Sequence, residues 1–161
     1  MPTVSGTPDP GSADPFAPFR PRRGRVVALA VVWTSLLIFG TIAVIMPDQD
    51  GRWGPADRLM LFGVGVVIAA LAWRYASIVA VPSRSGLTIR NLLLTRTLEW
   101  PEVVGIQFGG GEPWVSLDLL DGDTLAVMAI QKADGEVADH EASRLAALVE
   151  AFGEGAEGRP E

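Results

Sequence analysis

The chain has 161 residues, enough for one small domain with appendages, and 48% of them are apolar. It contains no cysteine and a single histidine, His140, which excludes disulfides, thiolate nucleophiles and multi-histidine metal sites within one chain. The net charge of −6 is uneven: Arg20, Arg22, Arg23 and Arg25 precede the first long apolar run, whereas from Tyr75 onward fourteen acids face six basic residues, a net −8 that argues against nucleic acid and against broad attraction to anionic lipid.

Residues 1–19 are rich in Pro, Gly, Ser, Thr and Asp and show no hydrophobic period, so a disordered tail is expected. Its end, PFAPFRPRR, brings Phe16 and Phe19 beside the basic cluster. Composition reads this as a solvated tail ending in topology charges, with a short lipid- or partner-touching motif as the alternative. Val26 to Met46 then runs for twenty-one residues without a charge. As a helix it covers roughly 30 Å, the hydrocarbon thickness of a bilayer. A signal peptide does not fit, because the run exceeds the roughly 7–15-residue core of such peptides and no small-x-small cleavage site follows.

Pro47 to Arg58 is a polar link punctuated by Gly and Pro, suited to an exposed hairpin loop. The next apolar stretch, Leu59 to Trp73, has fifteen residues and spans only about 22 Å as a helix. Snorkelling of Arg58 and Arg74, with Trp73 and Tyr75 at headgroup level, is the expected remedy; continuation through Ala76 to Val81 is the alternative. Gly65, Ala69 and Ala72 fall at i, i+4 and i+7, with Gly63 nearby, a stripe that would let two helices approach closely. Arginines flank the pair on one side, and the loop balances Arg52 and Arg58 with Asp48, Asp50 and Asp57. The positive-inside bias therefore predicts a multi-pass protein of the cell membrane with both termini in the cytoplasm. The expected organisation is a tail over 1–19, a hairpin over 20–75 with helices at about 26–46 and 59–74, a cytoplasmic domain over 76–152 and a second disordered tail over 153–161.

From Ala76 the pattern turns to short strands. Ser77 to Val81, Leu87 to Arg90, Arg96 to Trp100, Val103 to Phe108, Trp114 to Leu119 and Thr124 to Ile130 read as strands, several with period-two alternation. Asp121-Gly122 is a hairpin turn signal. Gln131 to Ala138 reads as a loop. A last helix is expected from about Asp139 to Phe152, with Ala142, Leu145, Leu148, Val149 and Phe152 on one face, Asp139 as N-cap and Gly153 beyond its end. The fold class predicted is α+β: two N-terminal transmembrane helices, then a bent antiparallel sheet or open barrel capped by a C-terminal helix.

That order is the order of the pleckstrin-homology superfold. Gly86 to Phe108 and Leu119 to Val127 resemble the small membrane-anchored bacterial pleckstrin-homology-like proteins of actinobacteria, and are similar in particular to the low-molecular-weight protein antigen 6 family. The resemblance rests on the Gly-apolar-Thr-apolar-Arg strand Gly86 to Arg90, with Thr88 at its centre. It rests also on the turn Trp100 to Val103 and the strand Ile106 to Phe108. It covers roughly Leu59 to Phe152. Gly86, Thr88, Trp100, Phe108, Leu145, Leu148 and Phe152 are the residues expected to define the fold. The resemblance implies no catalytic or ligand residues.

Chemical motifs are sparse. Gly109 to Gly111 is followed by Glu112, Pro113 and a strand rather than by a helix N-terminus, so a flexible hairpin fits better than a phosphate cradle. Glu99 and Glu102 lack a nucleophile or metal ligand beside them. Asp118, Asp121 and Asp123 lack the regular offsets of a calcium loop. His140 falls in the first turn of the last helix, exposed. Phosphoinositide-binding pleckstrin domains use basic residues of the first hairpin, and here Arg84 and Arg90 are the possible headgroup contacts. No catalytic residue, cofactor or metal is expected. The function expected is a non-enzymatic interaction or scaffolding module with an unidentified protein partner, held in the lipid bilayer. The alternative is sensing of lipid or envelope state through juxtamembrane arginines. Self-association is left open.

Overall fold

The computed structural model describes residues 14–47 and 53–153. Two long helices come first, α1 (Arg22–Ile45) and α2 (Pro55–Ala76). Both are long and apolar enough to cross a membrane, and only 22% and 11% of their apolar windows are buried. They pack on one another through a narrow seam. Gly65 faces Phe39 so closely that an added Cβ would lie 2.6 Å from the Phe39 Cβ. Ala69 is buried in the same seam and Ala72 half-buried, whereas Gly63 has no atom within 4 Å of where its Cβ would stand. The small residues thus set the helix separation at Gly65 and Ala69.

The second helix differs from expectation at its start. It begins at Pro55 rather than near Leu59, because Gly54 is extended, Pro55 suits the first helical position, and the Asp57 carboxylate accepts the Gly54 N–H at 2.9 Å. With 22 residues it is not short for a bilayer. Arg58 therefore does not snorkel outward. Its guanidinium donates to the carbonyls of Ala43, Val44 and Met46 at 2.8, 3.0 and 2.8 Å, satisfying the C-terminal end of α1. At the other end α2 stops at Ala76, where Ser77 closes the last turn.

Six strands follow: β1 (Val79–Pro82), β2 (Gly86–Arg90), β3 (Thr95–Glu99), β4 (Val103–Gln107), β5 (Trp114–Leu119) and β6 (Thr124–Gln131). They form two antiparallel three-stranded sheets, β1-β2-β3 and β4-β5-β6, that do not close into a barrel. Leu87 stands opposite Leu98, and Leu117 opposite Ile106 and Leu125. Register shifts at Val103/Gly105 and Trp114/Val115 interrupt the second sheet's ladders, the irregularity that bends a sheet. The alternating apolar residues Leu87, Ile89, Leu98, Val115, Leu117 and Val127 meet in one core.

The terminal helix α3 (Glu136–Gly153) closes that core with Ala142, Leu145 and Leu148. It starts three residues earlier than expected. Gly135, at φ 62°, ends a short 3-10 turn (Lys132–Asp134) and redirects the chain, so Asp139 lies inside the first turn and is not the N-cap. Trp100, expected to end a strand, instead opens a 3-10 turn (Trp100–Glu102). Residues 154–161 of the expected C-terminal tail lie outside the described residues, as do residues 1–13 of the first.

Residues 14–20 are the largest departure. Expected within a disordered tail, this segment is packed: Phe19 is 1% exposed and forms an antiparallel bridge with Ala80 of β1, with N···O distances of 2.8 and 3.1 Å. Local composition carried no signal of this, because the apolar site that Phe19 fills is made by strands and a helix far along the chain.

Candidate functional site

The chemistry of the molecule gathers where the helix pair meets the strand domain. Three devices join them. The first is Arg144 on α3. Its Nη1 donates to the carbonyls of Asp14, Pro15 and Ala17 at 3.3, 3.2 and 2.9 Å, its guanidinium lies 4.0 Å from the Phe19 ring centroid, and its other nitrogens donate to Glu141. Phe16 adds a tilted ring contact with Phe152 at 5.7 Å. The second is Asp134, whose two carboxylate oxygens accept the N–H groups of Arg22 and Arg23 at 2.9 and 2.8 Å. A carboxylate from the far end of the chain thus caps the positive end of α1. The third is the Tyr75 hydroxyl at the end of α2, which accepts a hydrogen bond from Gln131 Nε2 at 3.0 Å.

Between these joints lies a cleft of about 220 Å³ lined by Arg20, Arg25, Leu29, Trp73, Val79 and Arg90, among others. Its lining residues include three arginines and no Asp or Glu. Arg90 reaches it because β2 runs antiparallel to β1, placing Arg90 opposite Val79, three residues after the end of α2. The same geometry separates Arg90 from Arg84, the other possible headgroup contact. Arg84 lies in the turn between β1 and β2, at the opposite end of both strands from Arg90, so the two do not form one site. Arg20 and Arg25, read from sequence as topology charges, are the residues that join Arg90 instead.

The remaining candidates have structural placements. Gly86 sits where a Cβ would lie 2.0 Å from the Leu98 carbonyl oxygen, so the β2–β3 pairing there admits only glycine. The Thr88 hydroxyl is 3.2 Å from that of Thr97 across the pair. Trp100 is buried, donates through Nε1 to the Ser83 carbonyl at 2.9 Å, and stacks on Phe152 at 6.1 Å. Phe108 packs half-buried on the core, and Leu145 and Leu148 are buried within it. Glu102 accepts the Glu99 N–H at 2.6 Å, which makes it a cap of the turn. Gly109 and Gly111, at φ 121° and 105°, shape the turn between β4 and β5. Asp121 and Asp123 pair with Arg96 at 3.2 and 3.9 Å. The Asp123 N–H beside Asp121, then Arg96, hold the Asp121 carboxyl below its ordinary 3.8. Asp118 accepts from Gln107 Nε2 at 2.7 Å. His140 is exposed.

Asn91, which the sequence did not single out, is buried at the end of β2. Its amide donates to the Ala126 carbonyl at 2.7 Å and accepts the Met128 N–H at 3.2 Å, fastening the outer edge of β6 to the first sheet.

Residues 81–147 match the family model described as bacterial PH domain. Uncharacterized proteins of Mycobacterium tuberculosis (Rv1417) and Mycobacterium bovis (Mb1452) are each 38% identical to the chain over 79 residues, 49% of this chain and 51% of theirs. The chain thus spans about half the length of the curated relatives it matches. No solved structure matches it. The match covers Gly86 to Phe108 and Leu119 to Val127, the stretches that carried the resemblance, and the relatives are actinobacterial as expected.

Proposed function

We propose that the chain is a non-catalytic, membrane-anchored module whose PH domain faces the cytoplasm and docks a protein partner. The observation that carries this reading is the set of three joints between helices and domain. Arg144 with Phe19, Asp134 with the start of α1, and Tyr75 with Gln131 hold the domain against the hairpin. A domain fixed in this way presents a constant face to the cell interior. The arginines on the domain side of the hairpin, Arg20 to Arg25 and Arg74, support the cytoplasmic orientation.

The docking face in this reading is the outer edge of β4. This strand has a neighbour on one side only, and Val104 on it is 59% exposed. An extended peptide can add to such an edge through main-chain hydrogen bonds. The other edges are partly occupied: β1 is bridged by Phe19, β6 is fastened by Asn91, and β3 is tied through Arg96 to the β5–β6 turn.

A photo-crosslinking residue placed at Val104 of the full chain in its own membrane tests the reading. Protein adducts captured from Val104, and absent from a control probe at the exposed Thr97, are the expected result. Adducts of lipid alone, or a protein set no different from the control, would remove the docking reading.

A further inference from the structure

We infer that the cleft lined by Arg20, Arg25 and Arg90 is a phosphate-binding site that takes the headgroup phosphate of an anionic phospholipid from the leaflet in which the hairpin ends. The inference rests on the anchoring of the hairpin in a bilayer, but not on a protein partner or on the side the domain faces.

Two independent observations lead to it. The first is charge. Three arginines line a space of about 220 Å³ with no Asp or Glu among the lining residues, and none of the three makes an ion pair among the described residues. This occurs in a protein of net charge −6, where acids for pairing are plentiful. The C-terminal end of α2 offers only about half an elementary charge in compensation. Planar guanidiniums around a small cavity are the arrangement that recognises phosphate oxygens through paired N–H donors.

The second observation identifies the source of the phosphate. The turn that follows Arg90 contains Leu92, Leu93 and Leu94, and Leu93 and Leu94 are 87% and 64% exposed. This turn lies at the same end of β2 as the ends of the two helices, since Arg90 lines the cleft together with Leu29 of α1 and Trp73 of α2. Apolar side chains left in water beside a cationic cleft, next to two membrane-length helices, match the layering of a bilayer surface. Guanidiniums meet phosphates, and leucines reach the acyl boundary below them. A soluble phosphate would leave the leucines unexplained. The acidic remainder of the domain opposes spreading over an anionic surface, so the contact is confined to this end.

The test uses the full chain in nanodiscs of phosphatidylcholine alone and of phosphatidylcholine with phosphatidylglycerol. Native mass spectrometry on release should find phosphatidylglycerol retained by the chain, and retention at least about tenfold lower in an Arg20→Gln, Arg25→Gln, Arg90→Gln variant. Equal retention by the variant would overturn the site. Inorganic phosphate that binds lipid-free chain and displaces phosphatidylglycerol would overturn the lipid source. Because the chain lacks cysteine, a Leu93→Cys variant can carry one environment-sensitive fluorophore. Its quenching by lipids with shallow acyl-chain nitroxides, with protection from aqueous iodide, is expected. Full access to iodide without lipid quenching would overturn the insertion of the leucine turn. The two readouts also separate this inference from the docking of a protein, which neither of them measures.

Discussion

Arg144 shows how much one side chain can organise when its donors are all engaged. It holds three carbonyls of the N-terminal segment, stacks over Phe19 and pairs with Glu141, with only 15% of its side chain exposed. Hydrogen bonds from a charged donor in a half-buried setting are stronger than exposed ones, and the ring contact adds to them. Replacing Arg144 with Ala is expected to free the segment locally while α3 remains helical. At roughly 2 kcal/mol for the lost donors, amide exchange at Phe19 and Ala80 should rise about thirtyfold. Unchanged exchange at those two amides would show that Phe19 holds itself in place by burial alone. Gly86 and Trp100 work differently: they are demanded by space, the one by the Leu98 carbonyl and the other by the closed end of the core.

At the scale of elements, the helix pair is held by fit and by its ends. In a bilayer, lipid tails would offer no hydrophobic drive for association, and close backbone approach at Gly65 and Ala69 would supply the packing. A larger residue at position 65 meets Phe39 at once, because even a Cβ would lie 2.6 Å from the Phe39 Cβ. Gly65→Val is therefore expected to force α1 and α2 apart. Cysteine pairs placed across the seam of the cysteine-free chain should then crosslink several-fold less than in the parent. Undiminished crosslinking would show that the end contacts suffice. Those end contacts are substantial. Arg58 satisfies the C-terminus of α1 from the neighbouring helix, and Asp134 satisfies its N-terminus from the strand domain. A helix whose ends are capped by other elements is positioned as well as stabilised.

For the whole molecule, the consequence is that the helix pair, the segment before it and the strand domain share structure. The core of the strand domain includes Phe19, which precedes the first helix, so a domain cut at Ser77 lacks part of its own interior. Burying a phenylalanine contributes about 2 kcal/mol, which for a domain of this size corresponds to roughly 10 °C in Tm. A domain of residues 77–153 is expected to melt that much lower than the same domain with residues 14–20 joined to Ser77 by a flexible linker. Equal melting temperatures would remove the segment from the core. The same sharing places the Arg20, Arg25 and Arg90 cleft at the junction, assembled from the segment, the helix ends and the second strand.

The amino-acid sequence by itself determined the two apolar helices, the strand succession and the amphipathic last helix. Each is written in a local period of hydrophobicity, whether an uncharged run, alternation at two, or the spacing of Leu145, Leu148 and Phe152. It carried the family resemblance for the same reason, since Gly86 and Trp100 mark tight local geometry. Only the tertiary structure decided what the arginines do. Arg84 and Arg90 stand six positions apart in the chain, but a strand of extended backbone between them carries them to opposite ends of a sheet. Arg20 and Arg90 are seventy positions apart and line one cleft. Arg58 and Arg144 find carbonyls on other segments, and Phe19 finds a core that its neighbours in sequence do not foretell. Charge-assisted contacts and burial of a single aromatic depend on which surfaces meet, and no local pattern records that meeting.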